Sequence, residues 1–409
     1  MKKRYVILLV CLVALLGIAV GCLTCFVWAR PYLPGGAIYT ANTLAANQAE
    51  RGEKNTYAKL AEIQSYLDYY FVGDLDETQL IDSAAAGLVS GTGDRWSYYI
   101  PASQLSSYQE DVNNSYVGVG ITIQQGDNES GFEVISVSRN SPAMEAGVLP
   151  GDVLNAVEGA DAYTIGMEET KNRVRGPEGT RVTVTFLRDG VPYDATMTRR
   201  TVEMQSVNWQ MLRDGAAWIT ISDFHTNVAQ QTITAIEEAR AEGATSLIFD
   251  VRNNGGGYKH EMVNLLNYLL PEGPLFRSYT YDGRTEIDES DKNCLEMPMA
   301  VLVNEYSYSA AEFFAVALQE YDWAEVIGTG TSGKGYYQNT FYLSDGSAVA
   351  ISCGEYRTPK DNSLVGVGIT PDVEIHLEDE DYVNQYYGLL DWQEDEQIQA
   401  ALDAVLAEQ

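Results

Sequence analysis

The sequence predicts a multidomain α+β protein. It comprises an N-terminal transmembrane helix, a helical N-terminal region, a small β-sandwich or barrel unit, an α/β layered core and a helical C-terminal tail. Three observations predict this. An uncharged, mostly apolar run extends from Tyr5 to Ala29, short strands and glycine turns fill Tyr116 to Arg200, and strands alternate with helices from Ala217 onward. At 409 residues the chain exceeds one ordinary domain, and its 45% hydrophobic and 11% aromatic content is enough for more than one core.

The first segment, 5–29, follows the basic Met1-Lys2-Lys3-Arg4 and ends at Arg30. About 20 apolar residues span a bilayer, and a basic flank stays cytoplasmic. The expectation is therefore a single-pass anchor in the cell membrane, with everything beyond Arg30 outside the cytoplasm. A cleaved signal peptide is the alternative. The run is longer than a usual signal core and no Ala-x-Ala site follows it, which favours the anchor. Ala19-Val20-Gly21-Cys22 resembles a lipoprotein cleavage box, but apolar sequence continues past Cys22.

Residues 30–115 read as a stalk and helical region. Leu60, Ile63, Tyr66 and Leu67, then Leu80, Ile81, Ala84 and Leu88, recur at helical spacing, with a break near Gly73-Asp74. Residues 116–200 form the β-rich unit. Val117 to Ile123 is a strand entered by a glycine loop, Phe132 to Val137 a second strand, Ser141 to Gly147 a short helix, and Val182 to Met197 a hairpin turning at Asp189-Gly190. Residues 201–380 carry strands Ala217–Ile221, Ser246–Val251, Met299–Val303 and Ala324–Ile327. Helices Asn227–Glu242, Tyr258–Leu270 and Ala310–Glu320 lie between them. The tail, 381–409, is acidic and helical.

The formal net charge is -32, which repels a phosphate backbone and excludes nucleic acid as a partner. Of five cysteines, Cys11, Cys22 and Cys25 fall in the apolar run. Cys294 and Cys353 are left to pair or to remain unpaired core residues. No spacing indicates a metal or cofactor site. His260-Glu261-Met262-Val263-Asn264 misses the zinc motif H-E-x-x-H at its second ligand and reads as ordinary helix surface.

Two segments carry chemistry. Ser309-Ala310-Ala311-Glu312 opens a helix directly after an apolar strand. Its plain reading is a capping box. The same junction places a serine where helix N–H groups and the dipole stabilise an oxyanion, which suits a nucleophile. Gly328 to Gly335 nearly matches the phosphate loop G-x-x-x-x-G-K-[ST]. Gly335 replaces the magnesium-binding hydroxyl, and Tyr336 to Leu343 reads as a strand rather than the required helix, so nucleotide binding is set aside. The alternative makes Lys334 a general base. That role requires burial to depress its pKa from roughly 10.4, and the flanking glycines leave room to tuck the amine inside.

The Gly118-Val119-Gly120-Ile121 loop, Ser141-Pro142-Ala143 with Ala146-Gly147, Pro150-Gly151-Asp152 and the Arg175 to Thr180 turn together resemble a PDZ domain. The resemblance implies a groove that takes a peptide as an added strand and holds its carboxylate on backbone N–H groups of Gly118, Val119, Gly120 and Ile121. Asn304-Glu305-Tyr306-Ser307-Tyr308-Ser309-Ala310-Ala311-Glu312 and Thr331-Ser332-Gly333-Lys334-Gly335-Tyr336-Tyr337-Gln338 resemble the N-x-x-S-A-S-A-x-E and T-x-G-K-G-x-x-Q motifs of the carboxyl-terminal processing (tail-specific) serine peptidases. Asp250 to Gly257 is similar to that family's D-L-R-x-N-P-G-G loop.

The resemblance covers Leu60 to Ile375. It implies a ClpP/crotonase-like Ser-Lys core with Ser309 as nucleophile, Lys334 as base, Gln338 orienting the lysine, and oxyanion N–H groups from Ala310 and Gly256. Substrates are expected to be proteins captured by their C-termini and cleaved nearby, without a cofactor. Arg175 is a candidate for communication between the PDZ unit and the protease. A homo-oligomer and an activator protein stay open, as does a catalytically silent peptide-binding scaffold. The sequence departs from the family pattern at Tyr308, where alanine is usual, at Gly255, where proline is usual, and after Thr358-Pro359, where a glycine is absent.

Overall fold

The computed structural model describes residues 56–125 and 130–407. The expected membrane segment at 5–29 and the start of the stalk lie outside these residues. Among the described residues, no helix is long and apolar enough to cross a membrane. The chain divides into two compact units at Gly93-Asp94. The described part of the first is two helices, Thr56–Tyr70 and Glu77–Ser90. Asp76 starts the second, its carboxylate accepting from the Gln79 N–H.

In the second unit, the β-rich segment forms a six-stranded antiparallel sheet. Ile121–Gln125 lies at its edge, followed by Phe132–Val137, Val153–Val157, Arg181–Arg188 and Val191–Thr198, with Ala160–Asp161 on Val153–Val157. Phe132, Val134, Leu154, Val182, Val184 and Phe186 alternate inward to form its core. Ser115–Gly118 pairs with Arg200–Glu203 where the chain enters and leaves this unit.

The larger core is built on a six-stranded sheet ordered Val207–Met211, Ala216–Ile221, Ser246–Asp250, Met299–Val303, Glu325–Gly328 and Val373–Glu374. It is parallel except for the first pair. The middle strands are buried along their whole length, which explains their unbroken apolar runs. Helices Val228–Ala241, Lys259–Leu269 and Ala310–Glu320 share one apolar cluster with this sheet. The last helix, Glu396–Ala407, contributes Ile398, Ala401, Leu402 and Val405 to a separate cluster with Ile248, Ala300, Leu302 and Ile327. On sheet strands, alternate residues face opposite sides, so the two clusters cover opposite faces.

A second, antiparallel sheet joins Tyr98–Ile100, Ala348–Arg357, Gly273–Thr280 and Thr285–Ser290, with Tyr336–Tyr342 also on Ala348–Arg357. Sequence reasoning left Tyr98–Ile100 in a loop. Its three residues become a strand only by pairing with Ala348–Ala350, about 250 residues away in sequence. The strands Gly273–Thr280 and Thr285–Ser290 and the helix Ala102–Val112 were likewise not read from the sequence. Cys294 and Cys353 are both free thiols.

Candidate active site

Ser309 sits between the buried strand Met299–Val303 and the helix Ala310–Glu320. Its backbone, φ 59° and ψ −125°, is outside the ordinary regions for a side-chain-bearing residue, a conformation that costs roughly 1–3 kcal/mol. The loop before it explains how this is held. The Ser307 hydroxyl donates to Val251 O at 2.7 Å. The Asn304 carboxamide accepts from the Asn253 N–H at 2.9 Å and donates to Asn253 Oδ1 at 2.8 Å. The Tyr308 N–H donates to Asn254 O at 3.1 Å. Asn304 and Ser307 thus lock the 304–309 loop onto the 250–257 loop and leave Ser309 as the serine at the helix N-terminus.

Glu312 is the hub of the site. It is fully buried, and its two oxygens accept four hydrogen bonds. Oε2 takes the N–H groups of Ser309 and Lys334, both at 2.9 Å. Oε1 takes the Thr331 hydroxyl at 2.6 Å and the Gly333 N–H at 2.7 Å. The capping-box carboxylate is present, and it also binds the lysine loop. Thr331 Oγ1 in turn accepts from the Ile369 N–H at 2.8 Å.

The glycines beside Lys334 serve a purpose different from the one expected. A Cβ at Gly333 would lie 2.8 Å from Val367 N, and one at Gly335 3.0 Å from Val365 N. Their small size admits the 364–368 loop rather than the lysine amine.

Lys334 itself is partly buried. Desolvation pushes its pKa down from the usual lysine value to about 8, against the opposing pull of Glu312 and Asp94 and with a further push from Arg95. Its Nζ lies 4.7 Å from the Trp96 ring centroid and 5.6 Å from that of Tyr308. Sequence reasoning missed the 94–97 loop as part of the site. Arg95 anchors it by donating to Ser332 O and Oγ, and Asp94 anchors it by accepting from Ser97 Oγ and the Trp96 N–H. A Trp beside a desolvated lysine has no sequence motif, since its partner is 238 positions further on, from 96 to 334.

Gln338 does not reach Lys334 directly. Its amide donates to Tyr336 O and to Ser352 Oγ, each at 3.0 Å. Ser352 also hydrogen-bonds Asp94.

Gly256 was expected to supply an oxyanion N–H. That N–H donates instead to Asn254 Oδ1 at 2.8 Å. Gly256 has φ 86°, and a Cβ there would meet Ser309 Cβ at 2.8 Å, so its role is close approach. The neighbouring N–H groups of Gly255 and Gly257 donate to no group among the described residues, and the Ala310 N–H begins the helix, where no intrahelical acceptor exists.

Arg252, almost fully buried, bridges Asp250 at 2.6 Å and Asp395 at 2.7 Å, tying the start of this loop to the C-terminal segment. The His260 ring is exposed, but Glu261 is not the helix surface expected. Its carboxylate turns inward and accepts from the Asn227 and Ala229 N–H groups, capping the helix Val228–Ala241. Among the described residues, no group of side chains could hold a metal ion.

In the β-rich unit, Val119 O and Gly120 O accept from the Ala143 and Ser138 N–H groups. Each carbonyl points opposite to the following residue's N–H, and the Gly120 N–H is taken up by the Tyr116 hydroxyl. Arg175 ion-pairs with Glu110 at 3.0 Å and lies 5.1 Å from the Tyr116 ring centroid. The Tyr116 hydroxyl hydrogen-bonds Ser138 and the backbone of Gly120.

A strained serine at a helix N-terminus, a desolvated lysine held on the same carboxylate and an adjoining amide-rich loop define a serine hydrolase site with a peptide-binding module. The family profile of Peptidase family S41 matches residues 215–375, and that of the PDZ domain residues 133–188. A probable CtpA-like serine protease of Staphylococcus saprophyticus is 31% identical over 337 residues, covering 81% of this chain and 67% of the relative. The same-named protein of Staphylococcus aureus is 32% identical, covering 75% of this chain and 62% of the relative. The chain thus spans about two thirds of the length of these relatives. A carboxyl-terminal-processing protease of Synechocystis is 29% identical over 368 residues, covering 84% and 86% of the two chains. The chain belongs to peptidase family S41, a class of serine-type peptidases.

Proposed function

We propose that this chain is a serine endopeptidase that cleaves protein substrates near their C-termini through a Ser309–Lys334 acyl-enzyme mechanism. The observation that carries the reading is the anchoring of both residues' backbone N–H groups on Oε2 of the buried Glu312. In its neutral form Lys334 takes the proton from Ser309 Oγ, and the oxygen attacks the scissile carbonyl. The Ala310 N–H and an N–H of the Gly255–Gly257 loop bind the developing oxyanion. The Lys334 ammonium then protonates the departing amine, and Lys334 removes a proton from the water that hydrolyses the acyl-enzyme. Gln338 steadies Lys334 indirectly, through Ser352 and the carboxylate of Asp94.

Gly118 to Ile121 take the substrate's C-terminal carboxylate on backbone amides, where it displaces the Tyr116 hydroxyl from the Gly120 N–H, and the peptide adds as a strand to the edge of Ile121–Gln125. Arg175 links that groove to the helix Ala102–Val112 through Tyr116 and Glu110, and Tyr108 of that helix bonds Thr340 of the protease core. The enzyme is held to the cell membrane by the 5–29 segment, with its catalytic part extracytoplasmic. The exposed apolar residues Leu60, Ile63, Tyr66 and Tyr70 on the first helix offer a contact surface that suits either a second copy or an activator protein.

Wild type, Ser309→Ala and Lys334→Ala proteins are incubated with an unfolded protein bearing an apolar C-terminus and followed by mass spectrometry. Cleavage by wild type alone is expected. Equal cleavage by all three refutes the dyad, and binding of the tail without cleavage by any of them leaves two readings, an enzyme awaiting its activator or the silent scaffold.

A further inference from the structure

The two departures from the family pattern nearest the nucleophile meet each other in space. A Cβ built at Gly255 would lie 2.9 Å from the Tyr308 hydroxyl oxygen and 3.1 Å from its ring carbon Cζ. Gly255 does not have the positive φ seen at Gly256 and Gly257, so its backbone accepts a side chain. Glycine is present there for space, and the Tyr308 ring uses that space.

The ring placed there faces the base. Trp96 and Tyr308 have centroids 5.5 Å apart at 36°, and Lys334 Nζ lies within 6 Å of both. That is the range in which an ammonium is attracted to a ring face. Among the described residues, Lys334 Nζ has neither a hydrogen bond to Ser309 Oγ nor a carboxylate within ion-pair distance. The charged groups around it are Glu312 on the helix Ala310–Glu320 and Asp94 and Arg95 on the 94–97 loop. Arg95 itself lies over the Trp96 ring, 4.2 Å from the centroid. The ammonium's direct partners are therefore two ring faces rather than the Ser309 hydroxyl.

We infer that Tyr308 is a positioning residue for the general base: with Trp96 it forms an aromatic seat that holds Lys334 as a cation in the substrate-free enzyme, and Gly255 is the space that admits it. This rests on Lys334 being the base, as proposed above. To react, the amine must lose its proton and leave the rings for Ser309 Oγ. The seat favours the charged form, so it opposes deprotonation and restrains the enzyme at neutral pH. Removing its π face while keeping the site dry should let Lys334 deprotonate at lower pH. A cation–π contact of roughly 0.5–1 kcal/mol corresponds to a shift of about half a pH unit.

The test is the pH profile of kcat/KM for the full chain, read with a fluorogenic peptide that has a free, apolar C-terminus. Tyr308→Leu should move the rising limb down by about half a unit, and Tyr308→Phe, which keeps the ring, should leave it in place. Gly255→Ala, whose Cβ displaces the phenol, should move it the same way in wild type and cause no further shift in Tyr308→Leu. An unmoved or raised limb in Tyr308→Leu overturns the inference, as does an equal shift in Tyr308→Phe. Should Tyr308→Leu fail to fold, NMR of wild type labelled at lysine Cε decides. Ring-current displacement of one lysine's ε-methylene protons, lost in Lys334→Ala, supports the seat, and its absence refutes it. A Lys334→Ala enzyme that cleaves like wild type refutes the Ser-Lys reading itself. An inactive Lys334→Ala with an unmoved Tyr308→Leu limb refutes only the seat.

Discussion

Replacing Glu312 by glutamine keeps the volume of the buried side chain but removes its charge and half of its accepting capacity. The carboxylate accepts from Ser309 N, Lys334 N, Gly333 N and the Thr331 hydroxyl. An amide has one oxygen, so its NH2 group must face two of these donors. The less costly orientation turns NH2 toward Thr331 and Gly333, because the Thr331 hydroxyl can rotate while a backbone N–H cannot. Hydrogen bonds to a charged group contribute about 1.5–3 kcal/mol each, so losing two sets an upper bound of about 3–6 kcal/mol. Relaxation brings the expected loss in urea unfolding to about 3 kcal/mol.

The effects on activity have opposite signs. Loosening of the lysine loop should lower the plateau of kcat/KM at high pH by roughly 10–100-fold, equivalent to about 1.4–2.7 kcal/mol. Glu312 attracts the Lys334 ammonium and so raises that pKa. Its neutralisation should therefore shift the rising limb of the profile to lower pH. Measuring kcat/KM from pH 6 to 10 with the fluorogenic peptide separates the two effects. An unchanged plateau, or a limb displaced to higher pH, would refute the assignment of Glu312 as the carboxylate shared by nucleophile and base.

Two further predictions follow from the same geometry. Because burial lowers the Lys334 pKa to about 8 and the base must be neutral, wild-type kcat/KM should rise about tenfold per pH unit below pH 8 and level off above it; a profile flat from pH 6 to 9 would rule out this base. Arg252→Met leaves Asp250 and Asp395 buried without their cation, so urea unfolding should show a loss of about 3–5 kcal/mol, and a loss below 1 kcal/mol would contradict the buried ion-pair network.

The sequence by itself determined the alternating strands and helices at the centre of the larger core and offered Ser309 and Lys334 as the candidate dyad. Ser309 was legible because the apolar strand before it and the helical apolar pattern after it are local signals that fix a strand-to-helix junction. Lys334 stood out because Gly335 breaks the phosphate loop and the Thr331 to Gln338 motif resembles the lysine motif of the family. Only the tertiary structure decided what surrounds them.

Glu312 reads as a cap in one dimension. Its bonds to Thr331, Gly333 and Lys334 appear only when neighbouring parallel strands bring two loops to the same edge of the sheet. Trp96 and Asp94 join the site because the short strand Tyr98–Ile100 pairs with Ala348–Ala350, a register that no local periodicity encodes. The Gly256 amide looked available in sequence, but Asn254 two residues earlier folds its carboxamide back onto it. Local patterns report which element forms, because helix and strand repeat within a few residues. Hydrogen-bond ownership and charge neighbours depend on distances between segments far apart in the chain, and packing sets those distances.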